Sequence, residues 1–524
     1  MPVPILPDDC IVNILEQLEY DKSTLYRCLF VNRFWCIYAV RLLWHRPFSS
    51  SHRDKHYMII KTYLSFFNES EQKSLIPFNI TVDYQIQQSP PLFPYAKYLE
   101  EFSDLDFGLS IEVFLSNSDG QSNWSDRRVD AILISLWRML MRHCVKIKSM
   151  KIRPSLFLYG FDGPDIESIM HTKSAFDHLR EFDFYVDEYY DGTFSRTIDL
   201  IQKLPSLCSG IKKMSICLEE DPAYEIEFEE EACWIAEIIE AQHNIVDFKF
   251  SASKNMRTVN IVSSALVKNV NRLTSLSFIG INFNGISLKL LSNLQCLERL
   301  VFSICSGLTQ THVHSFPQTL KLQELRLDRN EWVNEVDVGL IQKCKSLSKI
   351  VINNLTTEKI AAARNSTNIK DVTVEMKSVN FLEEFFKWIR QYKMLVKLHI
   401  KNSYFKGGGQ FITKLGEILP PSLVYLGLVC EVIEPEELSE FFRECNAPLE
   451  TLIIALDPLG YEHLSVIESF VTTSYTLRLL SLSNRSDSEI WGPRELAVIE
   501  RIKQHGVEMF DYVSYNYCLA GCFL

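Results

Sequence analysis

One pattern of apolar and polar positions, apolar-x-x-apolar-x-apolar, recurs along the chain. It reads LTSLSF at 273, LERLVF at 297, LQELRL at 322, LSKIVI at 347 and IKDVTV at 369, then LVKLHI at 395, LVYLGL at 423, LETLII at 449 and LRLLSL at 477. A single window matches by chance about one time in ten at this apolar content. The spacing carries the information, because successive starts lie 24, 25, 25, 22, 26, 28, 26 and 28 residues apart. Looser copies extend the series: IVDFKF at 245, IKKMSI at 211, LREFDF at 179, IKSMKI at 147, FSDLDF at 102 and, at the far end, VEMFDY at 507. Early spacings of 32 to 45 residues imply insertions there.

Alternation within each phrase predicts a short strand with its apolar positions on one face. Between phrases, apolar residues fall at helical spacing, as in FLEEFFKWIRQY before LVKLHI and PEELSEFFRECN before LETLII. Parallel strands need such a crossover, and no single strand–helix unit buries both its faces. Stacking the units buries a continuous core, so the expected fold is an α/β solenoid with parallel strands on the concave face and helices outside. An ordinary doubly wound α/β domain is the alternative, but it does not repeat one phrase at one period.

The N-terminal stretch follows a different period. In LPDDCIVNILEQL, residues 6–18, Ile11, Ile14, Leu15 and Leu18 share one helix face, with Asp8 placed to cap it after an extended Leu6-Pro7 pair. Ser23 can cap a second helix carrying Leu25, Cys28 and Leu29, and Asn32 a third carrying Trp35, Tyr38, Ala39 and Leu42. Three short helices in about forty residues make a marginal core, so this block is expected to be completed by something else.

Composition narrows the function classes. The chain has 524 residues, 47% of them hydrophobic, and a net charge of −12 with no Lys/Arg run longer than two, which argues against nucleic acid as a partner. The longest apolar run, AILISLW at 131–137, is too short to cross a bilayer, and no signal-like segment opens the chain, so a cytoplasmic or nuclear location is expected. The 14 cysteines lack paired spacing; Cys28, Cys296 and Cys344 sit in apolar segments and are expected to be buried thiols. Cys518 and Cys522 have no partners at zinc-site spacing, and neither do His312 and His314. KGGGQF at 406–411 lacks a phosphate-loop ending, and EEDPAYEIEFEEE at 219–231 reads as a solvated insertion. No G-x-S-x-G, H-E-x-x-H or recognisable Cys-His pair is present, so no enzyme activity, metal or other cofactor is expected.

From about residue 100 to 515 the chain resembles the leucine-rich-repeat family. The Asn or Cys that usually closes the strand phrase is present at Asn330 and Cys305 but missing from most copies, so an irregular solenoid is expected; Cys208 and Cys344 resemble the cysteine-containing subclass. Residues 6–47 resemble the F-box through Leu6-Pro7, Ile14, Leu18, Leu25, Val31, Trp35 and the closing Leu43-Trp44 pair. That resemblance implies an SCF ubiquitin-ligase subunit docking on a Skp-type adaptor, and through it a cullin-RING ligase. The implied adaptor contacts are Leu6, Pro7, Ile11, Ile14, Leu15, Leu18, Leu25, Leu29, Val31 and Trp35. The expected organisation is an F-box over 1–47, a helical or irregular connector over 48–97 and repeats over 98–524. A non-ligase binding or scaffold protein, its N-terminal helices merely capping the solenoid, stays open.

The target protein is expected on the concave face. Outward strand positions give Glu324, Arg326 and Asp328; Lys349, Val351 and Asn353; Lys397, His399 and Lys401; Tyr425, Gly427 and Val429; and Thr451, Ile453 and Ala455. Arg326, Asp328, Lys349, Lys397, His399, Lys401, Tyr425, Val429 and Ile453 are the candidate contacts. The last two triplets are unusually apolar for exposed positions, marking either an interaction patch or a surface covered by a C-terminal segment.

Overall fold

The computed structural model describes residues 7–49, 55–80, 91–119, 127–153, 173–186, 197–218, 228–252, 256–378, 380–402, 409–430, 432–456, 459–484 and 491–510. Leu6, Cys518, Cys522, most of the acidic run and the first half of KGGGQF lie outside them. The chain forms two compact units, residues 1–273 and 274–524.

The first unit opens with three helices, α1 (Asp8–Gln17), α2 (Lys22–Cys28) and α3 (Arg33–Trp44). Asn32 caps α3 as its position predicts, its side chain accepting from the Trp35 N–H at 3.0 Å. The other two caps differ. Pro7, not Asp8, precedes α1, which leaves Asp8 and Asp9 as first-turn carboxylates favoured by the helix dipole. Asp21, not Ser23, caps α2, because its carboxylate reaches the Thr24 N–H at 2.9 Å and the Thr24 hydroxyl at 2.6 Å. The connector forms α4 (Tyr57–Leu64) and α5 (Glu69–Leu75), which pack on the first two repeat helices, α6 (Asp104–Asp119) and α7 (Arg127–His143).

Five parallel strands follow in chain order: β1 (Glu101–Ser103), β2 (Ser149–Ile152), β3 (Glu181–Val186), β4 (Lys213–Leu218) and β5 (Asp247–Ala252). The second unit continues the same plan with β6 (Ser275–Ile279), β7 (Arg299–Ser303), β8 (Glu324–Asp328), β9 (Lys349–Ile352) and β10 (Asp371–Met376). Then come β11 (Lys397–Asn402), β12 (Tyr425–Val429), β13 (Thr451–Leu456), β14 (Leu479–Asn484) and β15 (Glu508–Met509), each parallel to the next. Helices or short 3₁₀ turns return the chain between strands, so the fold is an α/β leucine-rich-repeat solenoid.

Every strand from β2 to β14 begins at the third residue of its phrase, and one hydrogen-bonding rung sets that register. The N–H groups of the second and third phrase residues both donate to the carbonyl of the second residue one repeat earlier: Lys148 and Ser149 to Glu100 (2.8 and 3.1 Å), Gln323 and Glu324 to Glu298 (2.7 and 3.0 Å). The apolar fourth residue then points into the core, where Met150, Phe182, Leu276, Leu325, Val372 and Leu452 are all fully enclosed.

The rung corrects the two ends of the series. Glu100 and Glu101 sit on the first rung, so the opening phrase starts at Leu99, whose side chain is buried with that of Phe102. FSDLDF instead runs off β1 into α6, because the Ser103 hydroxyl accepts from the Asp106 N–H and the carboxylates of Asp104 and Asp106 favour a helix start there. At the other end Glu508 donates to the Arg478 carbonyl at 2.8 Å and Met509 pairs with Leu480, so that phrase starts at 506 rather than 507. A slip of one residue exchanges faces, which turns Phe510 away from the core.

The closing Asn and Cys act as the repeat family implies. The Cys305 N–H donates to Asn330 Oδ1 at 2.9 Å, and Asn330 Nδ2 donates to the Phe302 carbonyl at 3.0 Å, tying two turns together. Gly280, Ile304, Arg329 and Asn354 each stand five residues after the start of their strand with φ of 68°, 55°, 51° and 49°, so four successive repeats turn alike. Replacing Asn330 by Ala strips both partners from these groups and is expected to cost about 1–3 kcal/mol in urea unfolding at constant m-value.

Candidate protein-docking surfaces

Two surfaces carry the candidate residues. On the helical block, Leu15, Leu25, Cys28 and Ala39 form a small enclosed core, with Ile11, Leu18, Leu29, Trp35, Tyr38, Leu42 and Leu43 half-buried around it. Of the predicted adaptor contacts, Leu15 and Leu25 are therefore internal, since the block needs them to close on itself. Pro7, Ile14 and Val31 face solvent, Ile14 42% and Val31 58% exposed. Tyr26, Phe30 and Ile37 are exposed as well, with the Tyr26 and Phe30 rings edge to face at 5.5 Å. Sequence reasoning missed these three. Tyr26 and Phe30 are spaced i, i+4, one step out of phase with Leu25 and Leu29, and that spacing was the available signal.

The end of α3 is fastened to the first repeat. The His45 carbonyl accepts from Glu100 and Glu101 at 3.0 and 3.1 Å, so it occupies the place a preceding repeat would fill. Around it, Lys22 Nζ donates to the carbonyls of Leu42, Leu43 and Arg46 at 3.3–3.5 Å, a cation held at a helix C-terminus. Burial pushes the Lys22 pKa down to about 8. Glu101 is held from both sides, by Arg46 at 3.1 Å and Lys151 at 3.0 Å. His45 Nε2 lies 2.8 Å from Glu19, and burial lowers its pKa against the pull of that carboxylate.

The second surface is the outward face of the sheet in the second unit. Along the first outward row, charges alternate from strand to strand: Arg299 to Glu324 at 3.2 Å, Lys349 to Glu324 at 3.5 Å, Lys349 to Asp371 at 3.8 Å. Lys397 comes next, its ammonium 5.7 Å from the Tyr425 ring centroid. In the third row Asp328 pairs with Arg326 at 3.1 Å and Arg329 at 3.7 Å. Burial opposes ionisation of Asp328, but Arg326, Arg329 and Lys401 outweigh it and hold its pKa below the ordinary value. Of the predicted contacts on this face, Lys397 is exposed and Arg326, Lys349 and Lys401 are half-buried.

The apolar part of that face is not open. Tyr425 and Val429 are each 7% exposed, Ile453 is 0% and Ala455 1%, and Phe510 packs against them. Of the two readings of this patch, the covered surface is the one observed. Aspartate at Tyr425 or Ile453 would bury a charge rather than probe a docking site. His399 and Asp328 are also buried. The His399 ring lies across Gly427, where an added Cβ would come within 2.1 Å of Nδ1, so glycine is required beside it.

The remaining candidates are structural. His312 closes a capping box with Thr309, and its Nε2 bonds the Ile286 carbonyl at 2.8 Å; His463 bonds the Ile433 carbonyl in the same way at 2.7 Å. Cys28, Cys208 and Cys344 are buried, but Cys296 is exposed because it falls in the bend ahead of β7 rather than in the strand. A cavity of about 180 Å³ beside Trp332 is lined by Lys359 and Asp337, which bond each other at 2.6 Å.

No family model matches the chain, and no curated protein matches it. Among solved structures, the Rad7–Elc1 complex of yeast superposes with a TM-score of 0.41 at 15% identity, covering 78% of this chain and 92% of that one. The leucine-rich-repeat protein LegL7 of Legionella pneumophila gives 0.30 at 13% over 61% and 90%. A leucine-rich-repeat protein of Leptospira interrogans gives 0.30 at 14% over 66% and 92%. Likeness at this level carries no residue-by-residue correspondence.

Burial pushes the His399 pKa down to about 3, the Lys401 charge acting in the same direction. The unfolded chain takes up that proton near pH 6.5, so the stability His399 contributes is complete above pH 6.5 and is lost as pH falls toward 3. The slope reaches about 1.4 kcal/mol per pH unit. Thermal melts of wild type and His399→Gln between pH 7 and 4 are expected to converge as pH falls; parallel curves would refute the assignment.

Proposed function

We propose that this chain is the target-recognition subunit of an SCF-type ubiquitin ligase, binding a Skp-type adaptor through its N-terminal helices and a target protein through its repeats. The observation that supports this reading is the set of exposed apolar side chains on the helical block: Ile14, Val31, Tyr26, Phe30 and Ile37. The block's own core has no use for them. Burying a large apolar side chain in a partner is worth roughly 1.5–3 kcal/mol, so five supply most of what a docking surface of about 1,200–2,000 Å² needs.

In this role the chain makes and breaks no bonds. One end holds the adaptor and the other holds the target, raising the effective concentration of target lysines at a ubiquitin-charged enzyme. Such a complex would act in the cytoplasm or nucleus. The target would meet the charged sheet face around Arg326, Lys349, Lys397 and Lys401, where complementary charge favours encounter rate and selectivity.

One observation favours the capping reading. The His45 carbonyl does close the first rung, so the block caps the repeats whatever else it binds. Capping leaves Ile14 and Val31 unused, and the two roles can coexist.

The test is co-expression with a Skp adaptor followed by size-exclusion chromatography. Wild type is expected to co-elute one to one. Ile14→Asp/Val31→Asp, altered only at exposed positions, is expected to keep the wild-type Tm and elute alone. Failure of wild type to bind would leave capping as the block's only role.

A further inference from the structure

The outward charges of the second unit are unevenly matched. Arg299, Arg326 and Lys349 are engaged in ion pairs with Glu324, Asp328 and Asp371. Asp328 serves two guanidiniums, since Arg329 reaches it as well. The two lysines of β11 come next, and neither makes an ion pair among the described residues. Lys397 stands in register with Asp371, but Lys349 holds that carboxylate from the other side, and the Lys397 ammonium lies near the Tyr425 ring instead. Lys401 is half-buried in register with Glu375. Burial lowers its pKa, and the nearby Arg329 and Arg326 charges add to that against the pull of Asp328 and Glu375. A partly desolvated cation without a close counter-charge gains more from an incoming anion than one fully in water. Lys397 and Lys401 lie four residues apart on one strand, so both belong to the outward face, about 13 Å from each other.

We propose that β11 is the part of this face that recognises an acidic segment of the target protein, Lys397 and Lys401 pairing with Asp or Glu carboxylates at positions i and i+4 of an extended chain. The inference rests on the reading of this sheet as the target surface and names the chemistry of what it takes. Charge complementarity carries it. The chain as a whole has a net charge of −12, so its overall field repels an acidic segment, and only a locally unmatched positive site holds one. The spacing agrees, because alternate side chains of an extended peptide face one way and residues i and i+4 stand about 13 Å apart. Nucleic acid fits less well. A strand of phosphates needs a row of cations to neutralise it, and Glu324 and Asp371 interrupt this one.

The test uses labelled octaglutamate, titrated against the full chain at about 10 mM salt, where charges act over about 30 Å, and followed by fluorescence anisotropy. Wild type is expected to bind it one to one. Lys397→Glu/Lys401→Glu is expected to weaken binding at least tenfold. Lys321→Glu/Lys345→Glu makes the same charge change at exposed positions ahead of β8 and β9, and is expected to weaken it less than twofold. Equal losses in the two variants, or no binding by wild type, overturn the proposal. Tighter binding of a single-stranded oligonucleotide of the same charge overturns it too. If the β11 double variant loses the wild-type Tm, Lys397→Glu alone, at an exposed position, decides the matter: at least a threefold loss is expected, and an unchanged affinity overturns the proposal. Adaptor co-elution is measured on the same preparations. Its presence without octaglutamate binding overturns this inference alone, and its absence with octaglutamate binding intact overturns the ligase reading alone.

Discussion

The arrangement rests on one repeated hydrogen-bonding rung, in which two adjacent N–H groups share the carbonyl one repeat earlier. It fixes which phrase residue faces the core and which faces out, because a strand shifted by one residue exchanges its two faces. Core composition follows: the fourth phrase residue is Met150, Phe182, Leu276 or Leu452, all enclosed. In the first unit the His45 carbonyl closes the starting end of the rung series, so the edge of β1 is not left unpaired there. The helical block is thereby built into the array. Its exposed apolar residues are held in a defined position relative to β1 by the Arg46–Glu101–Lys151 chain of ion pairs.

The same constraint divides the outward face of the second unit. From β7 to β11, outward positions carry alternating charges that satisfy one another across strands, leaving polar groups accessible at modest energetic cost. At β12 and β13 those positions become Tyr425, Gly427, Val429, Ile453 and Ala455, which water would not tolerate as a broad surface, and they are covered. His399 sits at the boundary, a polar ring kept neutral by the apolar cover on one side and the Lys401 charge on the other.

Much of this was legible in the sequence, because leucine-rich phrases carry both the period and the face. Thirteen strands fall where their phrases place them, from IKSMKI to LRLLSL. The ends were less legible for a physical reason. At FSDLDF the apolar residues suit a strand, but Asp104, Asp106 and the Ser103 hydroxyl favour a helix start, and local polar chemistry overrode the pattern. At the last phrase both Val507 and Met509 are apolar, so only the rung could choose between registers. On the helical block, spacing gave the helices but not the division between Leu15, enclosed, and Ile14, exposed. The stripe there is broader than the core it serves, and its excess width is what a docking face would use.

Amide hydrogen exchange at Glu100 and Glu101 tests the account most directly, read against Lys148 and Ser149 on the next rung. If the His45 carbonyl completes the first rung, all four amides exchange slowly and in the same protection class. Exchange of Glu100 and Glu101 at the rate of an unstructured linker, with Lys148 and Ser149 protected, would mean that the helical block is only tethered to the repeats, and the account of how it is positioned would fail.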